Sequence, residues 1–400
     1  MPAITTSATP VDALRRRQRA RAAVASTFVV HGLLIGAWAP RIPEIKSHLG
    51  LSAGALGIAL LAPAAGTILA ARMVGARTAR HGSPTVVRAC LVGYGALAWL
   101  PGVATNLPTL FLALLAWGLF LGALDVAMNA QGVTVEAAYG RPVLSSFHAM
   151  WSIGSFVGAL LGGAGSALHV DIAVQQLVLG VALTAAVLVA SRAFLPDHPP
   201  EPTRRTGRRL RLPRRPETRL VLLGCSAICA LIAEGAVTDW SGVLLRDHLH
   251  VGPGQTGFAY AAFCVTMTGG RLAGDRAVHA IGRANSFAAL AVIGSFGLAV
   301  GMLTDSLVGV VIGFALLGLG LSIMVPVLFS TAADTDGPPG PAIAAVSALG
   351  SAGLLAGPSL IGLVAQLSSV QGALYLLPPF TLAAGALGIL GIRMSRRSPS

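Results

Sequence analysis

Among the fifteen acidic residues of this 400-residue chain, Asp125 and Glu234 fall in the body of long apolar runs, and Asp239 falls at the end of one. A charged side chain at the centre of a bilayer-length helix costs about 2.5–3.5 kcal/mol on the insertion scale, so it needs a partner, water or a proton. A carboxyl in a weakly polar cavity can load and release a proton near neutral pH, because desolvation disfavours its charged form. That is the chemistry expected first of Asp125 and Glu234, the alternative for each being a structural carboxylate bonded to a neighbouring helix. Asn129 follows Asp125 by one helical turn and shares its face; its amide both donates and accepts, which suits a hydroxylated ligand. His148 and Trp151 stand beside Phe147 at the start of the next apolar run. An imidazole titrates in the physiological range, and His148 could approach Asp125 across the hairpin, or else bond at the inner interface. Asp239 reads first as a solvated residue at a helix exit, paired with Arg246 or Arg41, and second as part of a substrate cavity.

No other residue set carries chemistry. There is no His-Glu-x-x-His pattern and no nucleophile–base pair, and the sole lysine, Lys46, lies outside any Gly-x-x-x-x-Gly-Lys-[Ser/Thr] loop. Cys90, Cys225, Cys229 and Cys264 sit inside apolar runs without a His or acid to complete a metal set. Neither an enzyme, a cofactor nor a bound metal is expected. Glu136 and Arg141, which bracket a short loop, read as a salt bridge.

The elements that must position these groups follow from composition. Hydrophobic residues make up 54% of the chain and charged ones 11%, against about 25% charged in ordinary globular chains, and the mean hydropathy is +0.75. A chain this apolar cannot cover its own surface in water. Ser47–Ala71, Pro142–Val170, Ala284–Thr304 and Gly337–Ile392 are uncharged, each at least as long as the roughly 20 residues that cross a bilayer. Cutting at charges and at Gly/Pro/Ser/Asn breaks predicts an all-α membrane protein with twelve transmembrane helices: 22–40, 52–72, 86–104, 108–131, 143–166 and 172–193, then 219–239, 254–273, 284–304, 307–331, 342–366 and 372–392. A basic N-terminus over 1–21 precedes the first six-helix bundle, 22–193. A linker over 194–218, with seven arginines between Arg204 and Arg215 among its prolines, leads to the second bundle, 219–392, and a tail, 393–400.

With the N-terminus inside, all of the 28 Lys and Arg residues except Arg41, Lys46 and Arg246 fall on the cytoplasmic side, Arg271 included. This inside bias fixes the orientation, with both termini cytoplasmic. The net charge of +13 is thus a topology signal and not a nucleic-acid surface. The halves also repeat at an offset near 200: Trp38 matches Trp240, Gly75 through Gly82 matches Gly274 through Gly282, and Gly118 matches Gly318. Parallel six-helix repeats place a substrate route between the halves.

With these features the chain resembles the major facilitator superfamily over all twelve helices. The family loop Gly-x-x-x-Asp-Arg-x-Gly-Arg survives as Gly75-Ala-Arg-Thr-Ala79-Arg80-His-Gly82, with alanine in the acidic position, and a second copy begins at Gly270 and runs through Asp275-Arg276. A narrower resemblance, to the fucose-permease-like sugar:proton symporters, runs through Asp125-Val-Ala-Met-Asn129-Ala-Gln131, Ser146-Phe147-His148-Ala-Met-Trp151, Gly154/Gly158/Gly162 and Gly320-Leu-Ser-Ile-Met-Val-Pro326. Where those symporters carry a second carboxylate on helix 1, this chain has Trp38-Ala-Pro-Arg41-Ile-Pro43. The resemblance implies a monomeric, multi-pass secondary transporter of the cell membrane, moving a small polar solute by alternating access and coupled to protons. A proton-driven exporter of metabolites or drugs shares this fold. A non-transporting membrane sensor is the reading from another class, and the short loops argue against it.

Overall fold

The computed structural model describes residues 10–141, 143–197, 217–334 and 339–395. Among them the regular structure is helical. In chain order the helices are α1 (Pro10–Trp38), α2 (Ile42–His48), α3 (Ala53–His81), α4 (Ser83–Leu97), α5 (Leu107–Tyr139), α6 (Leu144–Ala167), α7 (Ile172–Ala190) and α8 (Thr218–Asp247), followed by α9 (Phe258–Ile281), α10 (Arg283–Leu303), α11 (Leu307–Leu321), α12 (Met324–Ala333), α13 (Pro339–Leu367), α14 (Val370–Leu374) and α15 (Leu377–Ser395). These make twelve passes. Two passes are broken by proline: Pro326 cannot donate to Ser322 and separates α11 from α12, and Pro378 does the same between α14 and α15. Eleven spans are long and apolar enough to cross a bilayer; the remaining pass, α9, carries Arg271, Asp275 and Arg276 along its second half. Most of the linker lies outside the described residues.

The pattern of burial is that of a protein in lipid. Val174, Val178 and Val181 on α7 and Phe296, Val300 and Leu303 on α10 face outward, an apolar exterior that water would not tolerate. Small and polar groups turn inward, including Thr27, His31, Gln131, Ser152 and Ser155.

Interhelical packing within each half rests on small residues. On α6, Gly154, Gly158 and Gly162 recur every fourth residue on one face, and a Cβ at these positions would come within 2.2, 2.2 and 2.5 Å of the carbonyl oxygens of Val29, Leu33 and Ala37 on α1. Backbone fills the space a side chain would need. The symmetry mates behave alike: Cβ atoms at Gly353 and Gly357 on α13 would meet Ile228 and Ile232 of α8. The repeat extends to backbone conformation. Gly82 and Gly282 end α3 and α9 at φ 80° and φ 82° and start the next helix at once, a conformation that L side chains rarely adopt.

The halves meet at the end opposite the α3–α4 connection. There Gly57 packs on Gly362 at backbone distance, Ser359 donates to Gly57 O at 3.0 Å, Thr256 donates to Pro40 O at 2.9 Å, and Lys46 pairs with Asp247 at 2.6 Å. Arg41, fully buried, donates to Glu44, to Gln175 and to Val170 O. Elsewhere packing is looser at single positions: nothing lies within 4 Å of a Cβ placed at Gly75 or Gly269.

Several local expectations change on this frame. Glu136 does not pair with Arg141. Its Oε2 accepts from the backbone N–H groups of Val143 and Leu144 at 2.7 and 2.8 Å, capping α6, because four unpaired N–H groups at a helix start attract an anion more strongly than one mobile arginine. Glu136→Ala should therefore lower stability by about 1 kcal/mol, a typical cap loss, while Arg141→Ala leaves the melting temperature unchanged; a thermal melt of both variants in detergent decides. Gln131 is fully buried, accepting from Ser83 Oγ at 2.7 Å and donating to Leu195 O at 3.1 Å. Trp38 and Trp240 are core residues, 4% and 0% exposed, Trp38 lying edge-on to Trp117.

Candidate functional site

The middle of the first half is built by α1, α4, α5 and α6. Asp125 sits half-buried on α5, and Asn129 Nδ2 donates back to its Oδ1 at 3.2 Å and to its carbonyl at 2.9 Å. The amide expected to meet a ligand thus also holds the carboxylate in place. Asp125 is close enough to His31 on α1 and His148 on α6 to act on both electrostatically. His148 is exposed, its imidazole edge-on to Phe28 at 5.3 Å.

Trp151, one turn along α6, donates its indole N–H to His31 Nδ1 at 2.8 Å. The other ring nitrogen of His31, Nε2, lies 3.2 Å from Leu121 O. The ring stacks on Tyr94 at 5.2 Å, and Tyr94 stacks on Trp117 at 5.5 Å, while the Tyr94 hydroxyl donates to His31 O. His31, which its place in the sequence barely marks, is therefore the best-anchored imidazole in the site.

The second half supplies α8 and α9. Glu234 Oε1 lies 3.6 Å from Arg271 Nη2, with side-chain exposures of 22% and 23%. Arg271 Nη1 also reaches Ser152 Oγ of α6 at 3.4 Å, a link between the halves. Arg271 is not near a helix end, as the predicted span 254–273 implied. The helix continues to Ile281, so the guanidinium sits inside the protein, where a carboxylate and a hydroxyl replace water. Asp125 and Arg271, from opposite halves, both act electrostatically on His148, with opposite sign.

Asp239 is placed differently from its expectation. It lies within α8, well before the helix ends at Asp247, and pairs with neither basic residue: Arg41 is held by Glu44, and Arg246 donates to Val251 O. It is half-buried, next to Thr238, which together with Ser155 flanks the Tyr260 hydroxyl. The structure thus pairs Asp125 with Asn129, Trp151 with His31 and Glu234 with Arg271, with both imidazoles in electrostatic reach of Asp125, and leaves Asp239 outside these pairs. Arg271, His31, Ser152 and Tyr260 join the site. Only Arg271 had a sequence signal, a charge within reach of an apolar run.

The weak Glu234–Arg271 geometry gives a testable asymmetry. Removing one partner strands the other charge, so Arg271→Gln should cost more stability than the Arg271→Gln/Glu234→Gln pair. A double-mutant cycle on melting free energies is expected to give a coupling of about 1 kcal/mol; additive losses would show that the two groups act independently.

A second acid that sequence reading did not weigh is Asp197, which follows α7. It accepts from Ser83 Oγ at 2.6 Å and from Thr134 Oγ1 at 3.1 Å, and caps α4 through Ser83 N–H. The α3–α4 connection has alanine at position 79 where the family loop has its acid, and a carboxylate from a different segment binds at this connection.

Comparison with known proteins agrees with this architecture. The Major Facilitator Superfamily profile matches residues 24–340. An uncharacterized MFS-type transporter of Yersinia pestis is 37% identical over 350 residues, covering 86% of this chain and 89% of that protein. Membrane protein MosC of Rhizobium meliloti is 30% identical, with 91% and 87% covered. Among solved structures, a bacterial homolog of the human lysosomal transporter Spinster, inward-facing and occupied, superposes with a TM-score of 0.77 at 12% identity, covering 96% and 99% of the two chains. A single-substitution variant of the Escherichia coli fucose:proton symporter FucP gives 0.62 at 15% identity, with 95% and 98% covered. Two repeated six-pass bundles enclosing a polar centre, matched over nearly their whole length, identify this chain as a multi-pass membrane transporter belonging to the Major Facilitator Superfamily.

Proposed function

We propose that the protein is a proton-coupled symporter of a small, polar, hydroxylated solute, working as a monomer in the cell membrane with both termini in the cytoplasm. The observation that carries this reading is the half-buried Asp125 carboxylate, held by Asn129 and in electrostatic reach of two imidazoles, within a bundle whose halves meet at the end opposite the α3–α4 connection. A group that can gain and lose a proton there is reached from one side at a time, which is what alternating access requires. Asn129, Trp151 and Ser152 offer hydrogen-bonding groups to hydroxyls, and the Trp151 indole offers an apolar face to a ring. Arg271 and Glu234 neutralise each other on the facing half, which favours an uncharged solute. The arginine-rich segments at the end that carries the α3–α4 connection support its being cytoplasmic. FucP is by name a fucose:proton symporter, and this chain shares its fold.

The test is reconstitution into liposomes containing a pH-reporting dye. Adding sugars and polyols from a panel outside, with no imposed gradient, should acidify the lumen with at least one of them, whereas alkalisation would make the protein an exchanger of solute for protons. Uptake of a solute at the same rate with and without a pH gradient would instead make the protein a uniporter.

A further inference from the structure

We infer that His31 Nδ1 is a proton-binding atom of the transport site, occupied either by a proton or by the indole N–H of Trp151 but never by both. Donor inventories define the resting state. An indole nitrogen only donates, so the 2.8 Å contact from Trp151 Nε1 requires a lone pair on His31 Nδ1. Nε2 must then carry the hydrogen and donate to Leu121 O at 3.2 Å. Both nitrogens are satisfied, the ring is 4% exposed, and the tautomer is fixed as the neutral Nε2–H form. A proton added at Nδ1 would set two donors against each other, so the Trp151 bond must break first.

The surroundings make that exchange consequential. Leu121, whose carbonyl His31 holds, lies one turn before Asp125 on α5. The titratable groups facing the ring are Asp125 from α5, His148 from α6 and Tyr94 from α4, with Arg271 of α9 beyond His148. Asp125 supplies the negative charge that an imidazolium needs. Trp151 is only half-buried, and α6 meets α1 through glycine: a Cβ at Gly32 would lie 2.1 Å from Trp151 O, so the tryptophan backbone is fixed and its movement must come from the side chain. A solute that draws the indole N–H toward itself therefore empties Nδ1 on a ring within electrostatic reach of the Asp125 carboxylate. Linkage is reciprocal: a solute that promotes protonation is itself bound more tightly once the proton is there. This is the sign of coupling a symporter needs, and it rests on the proton-coupled reading above.

The test needs no transported solute. Tryptophan emission of the purified, detergent-solubilised protein is titrated from pH 8 to pH 5, and the Trp151 component is taken as the difference between the wild type and Trp151→Phe. The wild-type component is expected to shift along a single titration curve, to become flat in both His31→Gln and His31→Asn, and to persist in His148→Gln. Nitrogen-15 histidine spectra should assign His31 as the Nε2–H tautomer at pH 8, a signal lost in the His31 variants. Two variants at position 31 guard against one that fails to fold, checked by helical circular dichroism. A flat wild-type component, or a response surviving in a folded His31 variant, overturns the inference while leaving proton-driven transport to stand on its own assay. A titrating component together with no solute-linked proton movement in liposomes would keep the His31–Trp151 exchange and remove its role in coupling.

Discussion

Asp125→Asn is expected to abolish accumulation of solute driven by a proton gradient while exchange of solute across the membrane continues. The substitution keeps side-chain size, and the Asn129 amide can still donate to the Oδ1 that remains, so the fold is preserved. What disappears is the carboxylate in the body of α5, since Glu136 near the end of that helix is engaged as the cap of α6. Coupling free energies of about 1–3 kcal/mol correspond to factors of about 5–150, so initial gradient-driven uptake should fall by about one to two orders of magnitude. Counterflow, in which labelled solute outside exchanges for unlabelled solute inside without a net proton, should stay within a few-fold of wild type. The measurement is made in proteoliposomes on the same preparation. Undiminished accumulation would remove Asp125 from the coupling path; simultaneous loss of counterflow would make it a solute-binding residue.

Gly158→Val carries the second large effect, on assembly and not on chemistry. A single Cβ at this position would already come within 2.2 Å of Leu33 O and 2.8 Å of Ala37 N, both backbone atoms that cannot swing away. The whole of α1 must retreat from α6, and with it His31 from Trp151. Overpacking typically costs about 1–3 kcal/mol, and a β-branched residue against backbone belongs at the upper end. We expect a sharp drop in monodisperse protein after extraction and loss of thermal stability in what remains. Gly75→Ala, where a Cβ meets nothing within 4 Å, should be neutral or slightly stabilising, since alanine exceeds glycine in helix propensity by up to about 1 kcal/mol. Equal behaviour of the two variants in size-exclusion and melting assays would contradict the close α1–α6 packing.

The chain sequence alone was enough for the features governed by local energetics. An apolar run long enough to span lipid must hydrogen-bond its own backbone, which forces a helix, so the passes follow from residue order, while the breaks at Pro326 and near Pro378 fall inside spans, 307–331 and 372–392, that were expected to be continuous. The two-fold repeat was legible for the same reason, and Gly82 and Gly282, recognised as equivalent loop glycines, share one backbone conformation. Asp125 stood out because an acid in such a run is costly wherever it points. What the linear order could not determine was which groups meet. Asp197 bonds at the α3–α4 connection from more than a hundred residues away, and Arg271 became an interior charge because α9 continues past the apolar run that suggested its end. Likewise, the state of His31 is fixed by Trp151, 120 positions distant, and Asp239 has neither of its expected partners because Arg41 and Arg246 bond elsewhere. Hydropathy measures the free energy of one segment in lipid; a hydrogen bond depends on the distance and rotation between two, and those are set only when the glycine faces of α1 and α6, and of α8 and α13, close on each other.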